Sequence, residues 1–165
     1  MLATVGLKKR VAAVAAVAVL ALSAAGCLAD SSNGPPATPL KAQIFAAINA
    51  YRSRQGWTAA LVNSPRLEVT GQAWSNQMAA GVGLNHQNLG NLLFNDPNYS
   101  AYSTLGENLL VGPANMNADQ IVQAWMNSGP HAANIMNPYF TVAGIGLTYD
   151  GSGQLWVCMD YGGLK

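Results

Sequence analysis

The order of hydrophobic periodicities predicts an α+β fold with an antiparallel sheet. Apolar residues recur at helical spacing as far as residue 136, and only then do two runs rich in β-branched and aromatic residues appear. Asp150-Gly-Ser-Gly153 separates those two runs and is a hairpin signal, so the strands pair with each other. Half of the residues are hydrophobic and 9% are charged, which excludes disorder and a charged coiled coil. A chain of 165 residues holds one such domain.

Before the domain comes an export signal. Lys8-Lys9-Arg10 is a basic start, Val11 to Leu22 an apolar stretch, and Ser23-Ala24-Ala25-Gly26 supplies small residues for cleavage. Cys27 follows directly, and the arrangement is similar to the bacterial lipobox. The resemblance implies that the Cys27 thiol takes a diacylglyceryl group and becomes the mature N-terminus. Two alternatives stay open: ordinary cleavage near Ala25, giving a secreted form, and retention of the uncharged run Val11 to Ala29 as an anchor. Residues 27–39, rich in Pro, Ser and Gly, read as a flexible tether, and the domain begins at Leu40.

Leu40, Ile44, Phe45, Ile48 and Tyr51 predict a first helix over 40–54, opened by Pro39 and stopped by Gln55-Gly56. A short apolar Leu61-Val62 and the turn Asn63-Ser-Pro65 lead to a second helix marked by Leu67, Thr70, Ala73, Trp74, Gln77 and Met78 and ended at Gly81 or Gly83. The stretch Leu84 to Tyr102, dense in Asn, Gly and Pro, reads as an ordered loop. Asn117 caps a third helix whose Ala118, Ile121, Val122 and Trp125 share a face. Pro130 opens a short fourth helix over 131–136. Strands follow over 141–149 and 154–161, the second carrying Cys158 as a buried small hydrophobe.

Candidate chemistry is sparse. The only histidines are His86 and His131, and the only glutamates are Glu68 and Glu107. Glu68 opens the second helix, where a negative charge complements the helix dipole. Glu107, between Gly106 and the apolar run that follows Asn108, is a partly buried carboxylate in need of partners. His131 sits at a helix N-terminus, which favours the neutral ring, and a neutral ring binds a metal or acts as a base. After residue 26 there are five basic and seven acidic residues, net −2, so no basic stripe for nucleic acid exists.

Five segments in order resemble the superfamily of cysteine-rich secretory proteins, antigen-5 and pathogenesis-related proteins, known as CAP, in its bacterial branch. They are Leu84-Asn-His86, Gly106-Glu-Asn-Leu-Leu110, Ala124-Trp-Met-Asn-Ser-Gly-Pro-His-Ala-Ala-Asn-Ile-Met-Asn-Pro138, Phe140-Thr-Val-Ala-Gly-Ile-Gly146 and Asp160-Tyr-Gly162. The resemblance implies a CAP domain over 40–165, an α-β-α sandwich with a small antiparallel sheet between helices, and a cleft of two His and two acidic residues. His86, Glu107 and His131 match three of those four; Ser128 stands at the second glutamate. Zinc or another divalent cation between His86 and His131 is the cofactor the resemblance implies, weakened by the missing carboxylate.

The expected function is that of a monomeric binding module, held at the cell envelope by its lipid anchor, whose cleft takes a lipid, sterol or cell-wall component. A hydrolase using His86 or His131 as general base with Glu107 orienting a ring is one alternative. Against it stands the absence of a Gly-x-Ser-x-Gly motif. A cell-surface interaction protein without ligand is the other.

Overall fold

The computed structural model describes residues 37–56 and 59–165. The expected export signal, Cys27 and most of the expected tether lie outside the described residues. Helix α1 spans Ala37–Arg54 and so takes in the last three residues expected in the tether. Pro39 sits in its first turn, where an amide donor is not required. Leu40, Ile44 and Ile48 are buried at intervals of four, and Arg52 continues the same stripe. Strand β1 is only Val62–Asn63. Ser64 then caps α2, Pro65–Gln77, with Pro65 as its first residue. A π-helical turn over Met78–Val82 prolongs α2 and breaks at Gly81, whose φ of +120° favours glycine.

The stretch expected as a loop contains a helix, α3 over Leu89–Asn95, and a 3-10 turn over Pro97–Tyr99. Its Asn and Asp residues, which read as loop formers, are the caps: the Asn88 side chain accepts from Asn91 N–H and Asp96 from Asn98 N–H. Strand β2, Tyr102–Pro113, stands where the sequence predicts no strand. From Gly106 to Leu110 it is buried on both faces, so it lacks the alternation that marks a strand. Helix α4, Ala118–Met126, starts in a reciprocal capping box between Asn117 and Gln120, and α5 spans Gly129–Ile135. The hairpin forms as expected from β3, Val142–Tyr149, and β4, Gln154–Leu164.

The sheet order is β1-β3-β4-β2. Three strands pair antiparallel, and β1 joins β3 in parallel, so the sheet is mixed at one edge. Side chains of β4 alternate between two helical layers. Leu155, Val157, Met159 and Tyr161 enter the main core with Ile121, Val122 and Trp125 of α4, Ile135 of α5 and the α1 stripe. Trp156, Cys158 and Asp160 face the opposite way, where Cys158 packs with Met78 at the end of α2. These layers make the α-β-α sandwich. Trp125 is in the core, while Trp74 and Trp156 are partly buried against the Met78 and Cys158 cluster.

Glycine sets the spacing of the second layer. A Cβ at Gly144 would lie 2.0 Å from Glu68 N, and one at Gly146 2.2 Å from the Gly71 carbonyl carbon. Helix α2 therefore rests its backbone directly on β3. On the other side, Arg52 is 2% exposed and donates to the carbonyls of Ile135, Asn137 and Phe140. It ties the segment after α5 to α1 without a carboxylate partner among the described residues.

Candidate functional site

Glu107 and Asp160 are cross-strand partners on β2 and β4, and both side chains face the α2 layer. Such pairs stand close enough for direct interaction. The segment after the π-helical turn lays His86 and Gln87 against them. His86 Nδ1 is 2.6 Å from Glu107 Oε1, and the Gln87 backbone N–H donates to the same oxygen at 3.1 Å. The Gln87 side-chain amide donates to Glu107 Oε2 at 2.7 Å and to Asp160 Oδ1 and Oδ2 at 3.1 and 3.2 Å. Cys158 adds a weak thiol donor, 3.4 Å from Glu107 Oε2. Glu107 therefore accepts four donors, two on each oxygen. That satisfies a carboxylate which is 4% exposed and has no Lys or Arg partner among the described residues.

Asp160 lies in the same buried pocket, 2% exposed. Burial, and then the neighbouring Glu107, push its carboxyl up to about 8. That shift favours the protonated form of Asp160 at neutral pH. Burial and the flanking acids likewise push the Cys158 thiol well up, so it stays a thiol. The expectation of a buried cysteine holds, with hydrogen bonds to carboxyls added to it.

His131 arrives from the other layer. Asn108 on β2 donates to the His131 carbonyl at 3.0 Å, and Asn134 of α5 donates to the Glu107 carbonyl and to Asn108 Oδ1, both at 2.9 Å. These amides clip α5 along the outer edge of β2. His86 through its ring and His131 through its backbone carbonyl both attach to this edge strand, close enough for His86 to affect the His131 ring. Burial first, and His86 second, hold the His131 ring below the ordinary imidazole value, so it is neutral near pH 7. The expected neutral state stands; its main cause is desolvation. No hydrogen bond to the His131 ring occurs among the described residues. Ser128 is the N-cap residue of α5, yet its side chain makes no capping hydrogen bond and bonds to neither imidazole.

Whether these residues suit zinc follows from the donors left over. Glu107 has both oxygens committed to hydrogen bonds, and Ser128 replaces the second carboxylate. Two imidazole nitrogens remain, one fewer than the three protein ligands of a catalytic zinc site. The donor set does not fit a resident zinc ion. Glu107, Cys158 and Asp160 bring three ligand-type atoms within 4.8 Å, but hydrogen bonds among themselves and with Gln87 already engage them. Gln87, Asp160 and the clip of Asn108 and Asn134 were not singled out from sequence. Three of them lie inside the motifs quoted above, and Gln87 is the neighbour of His86.

A family model described as the cysteine-rich secretory protein family, CAP, matches residues 45–160. Uncharacterized protein YkwD of Bacillus subtilis is 45% identical over 56 residues, which cover 34% of this chain and 20% of that protein. Among solved structures, an outer surface protein from Borrelia burgdorferi superposes with a TM-score of 0.68 at 15% identity, over 81% of this chain and 99% of that one. An extracellular protein containing an SCP domain from Bacillus anthracis gives 0.62 at 23% identity, over 74% of this chain and 40% of that one. The match therefore spans a fifth of YkwD and two-fifths of the Bacillus anthracis chain, and at these identities the structures show a common fold. With the family match extending across both histidines, Glu107 and Asp160, the chain belongs to the cysteine-rich secretory protein family, CAP.

Proposed function

We propose that the chain is an exported binding module of the cell envelope, anchored through an acylated Cys27, which holds a lipid, sterol or other envelope component at the edge-strand cleft of His86, His131 and Glu107. The observation that carries this reading is a contrast across one hydrogen bond. The His86 side chain is 61% exposed, while that of its partner Glu107 is 1% exposed. An exposed ring normally turns freely; this one is held at Nδ1 by a buried acceptor, with no hydrogen bond to its Nε2 among the described residues, an arrangement suited to meeting a molecule from outside. The low charge of the chain suits a ligand with a large apolar part. Relatives described as outer surface and extracellular proteins support the envelope location. No helix among the described residues is long and apolar enough to cross a membrane, and the reading assigns attachment to Cys27.

Native mass spectrometry of the full chain, extracted from its own envelope in mild detergent, tests the reading. The expected result is a mass excess over the denatured protein that disappears in His86→Ala. A wild type free of excess mass in every preparation overturns it in favour of a ligand-free interaction protein. For hydrolysis, Ser128 offers no activated nucleophile: among the described residues its hydroxyl makes no capping hydrogen bond and none to either imidazole.

A further inference from the structure

The bridge beneath His86 gives that ring its orientation. Gln87 has two side-chain N–H groups and meets three carboxyl oxygens, one of Glu107 at 2.7 Å and two of Asp160 at 3.1 and 3.2 Å. Its backbone N–H meets the same Glu107 oxygen that receives His86. A single residue, adjacent to the exposed histidine, therefore fastens both oxygens of the buried glutamate. We propose that Gln87 and Asp160 are positioning residues for the cleft: the amide bridge between the two acids holds Glu107 as the acceptor of His86 Nδ1–H, which leaves Nε2 as the bare nitrogen presented to a ligand.

Three physical points support this. Glu107 and Asp160 stand opposite each other on neighbouring strands, both buried, so their oxygens need hydrogen-bond donors between them. Gln87 supplies those donors, with the Cys158 thiol as a weaker third. Without the bridge, Glu107 Oε2 keeps only the thiol, and a buried oxygen short of donors turns to find others. Such a turn takes Oε1 off the line to Nδ1. A neutral imidazole free of such an acceptor carries its proton mainly on Nε2, the reverse of the arrangement described. Asp160 need only accept one N–H, which a neutral amide oxygen does equally well.

The inference rests on the reading of His86 as the ligand-facing group, and one experiment separates the two. Full-length protein labelled with ¹⁵N-histidine is examined in detergent at mildly alkaline pH, where imidazole is neutral, by long-range proton–nitrogen correlation. The expected wild-type spectrum shows His86 protonated on Nδ1 and bare on Nε2. Gln87→Met and Asp160→Leu are expected to shift the majority of His86 to the Nε2–H form while the His131 signals stay in place. Asp160→Asn is expected to keep the wild-type pattern, because its oxygen still accepts the bridge. Retention of Nδ1–H in Gln87→Met overturns the positioning role and leaves the cleft reading intact. Wild-type His86 already in the Nε2–H form overturns the cleft reading itself. Gln87 is partly exposed, so its replacement decides the matter even if Asp160→Leu does not fold.

Discussion

Asp160 makes the stability of this protein depend on pH in a stated direction. Its carboxyl sits near the ordinary aspartate value when unfolded and is raised to about 8 in the fold, by burial first and by Glu107 second. The folded state therefore holds a proton that the unfolded chain has released between those values. Stability is fully present below the unfolded value and is lost as pH rises through that window, by no more than about 1.4 kcal/mol per pH unit. Asp160→Asn removes the titration. In urea unfolding, the variant's advantage over wild type is expected to grow from pH 5 to pH 8; an advantage independent of pH would contradict the assignment. Arg52 acts by geometry. Arg52→Met strands the carbonyls of Ile135, Asn137 and Phe140 and is expected to cost on the order of 3 kcal/mol of unfolding free energy. The roles of both residues were hidden in the sequence for the same reason. Arg52 falls at the fourth step of the Leu40, Ile44, Ile48 stripe, but a charge there reads as a solvated helix end. Asp160 is one charge among apolar neighbours until β2 brings Glu107 beside it. His86, Glu107 and His131 were legible because a chain with so few ionisable groups offers few candidates.

At the scale of elements, the contact between α2 and β3 leaves no room for a side chain at Gly144 or Gly146. Gly144→Ala and Gly146→Ala each force backbone apart, and each is expected to destabilise the fold by about 1–3 kcal/mol. Gly151→Ala, in the hairpin turn with nothing within 4 Å of the added carbon, is the matched control and is expected to stay within about 0.5 kcal/mol of wild type. Thermal unfolding of the three variants checks both statements. Elements whose signals are local were readable: the Asn117 cap of α4, Pro130 as a helix opener, and the Asp150-to-Gly153 hairpin. Strand β2 was not, because its identity comes from a partner about fifty residues later. The parallel pairing of β1 with β3 is likewise non-local, and two residues carry no period to detect it.

For the molecule as a whole, the sandwich followed from a resemblance that ran through five ordered segments, and the layers observed agree with it. The proposed binding function concerns two parts of the chain, the cleft and the anchor, and they are tested apart. Cys27→Ala is expected to move the protein from the membrane fraction to the soluble fraction while leaving the thermal unfolding of the domain unchanged; unaltered membrane partitioning would remove the anchor from the proposal. The order of the strands bears on biosynthesis as well. Strand β4 lies between β3 and β2, yet it follows both in the chain. A ribosome that has released everything up to Asp150 has made two strands with no neighbour between them, and all the helices with no complete sheet to cover. The domain can therefore close only once β4 has emerged, so chains truncated before Gln154 are expected to remain sensitive to protease, and released chains that include Gln154–Leu164 to resist it. Until β4 has emerged, such a chain stays unfolded and so able to thread through a narrow channel.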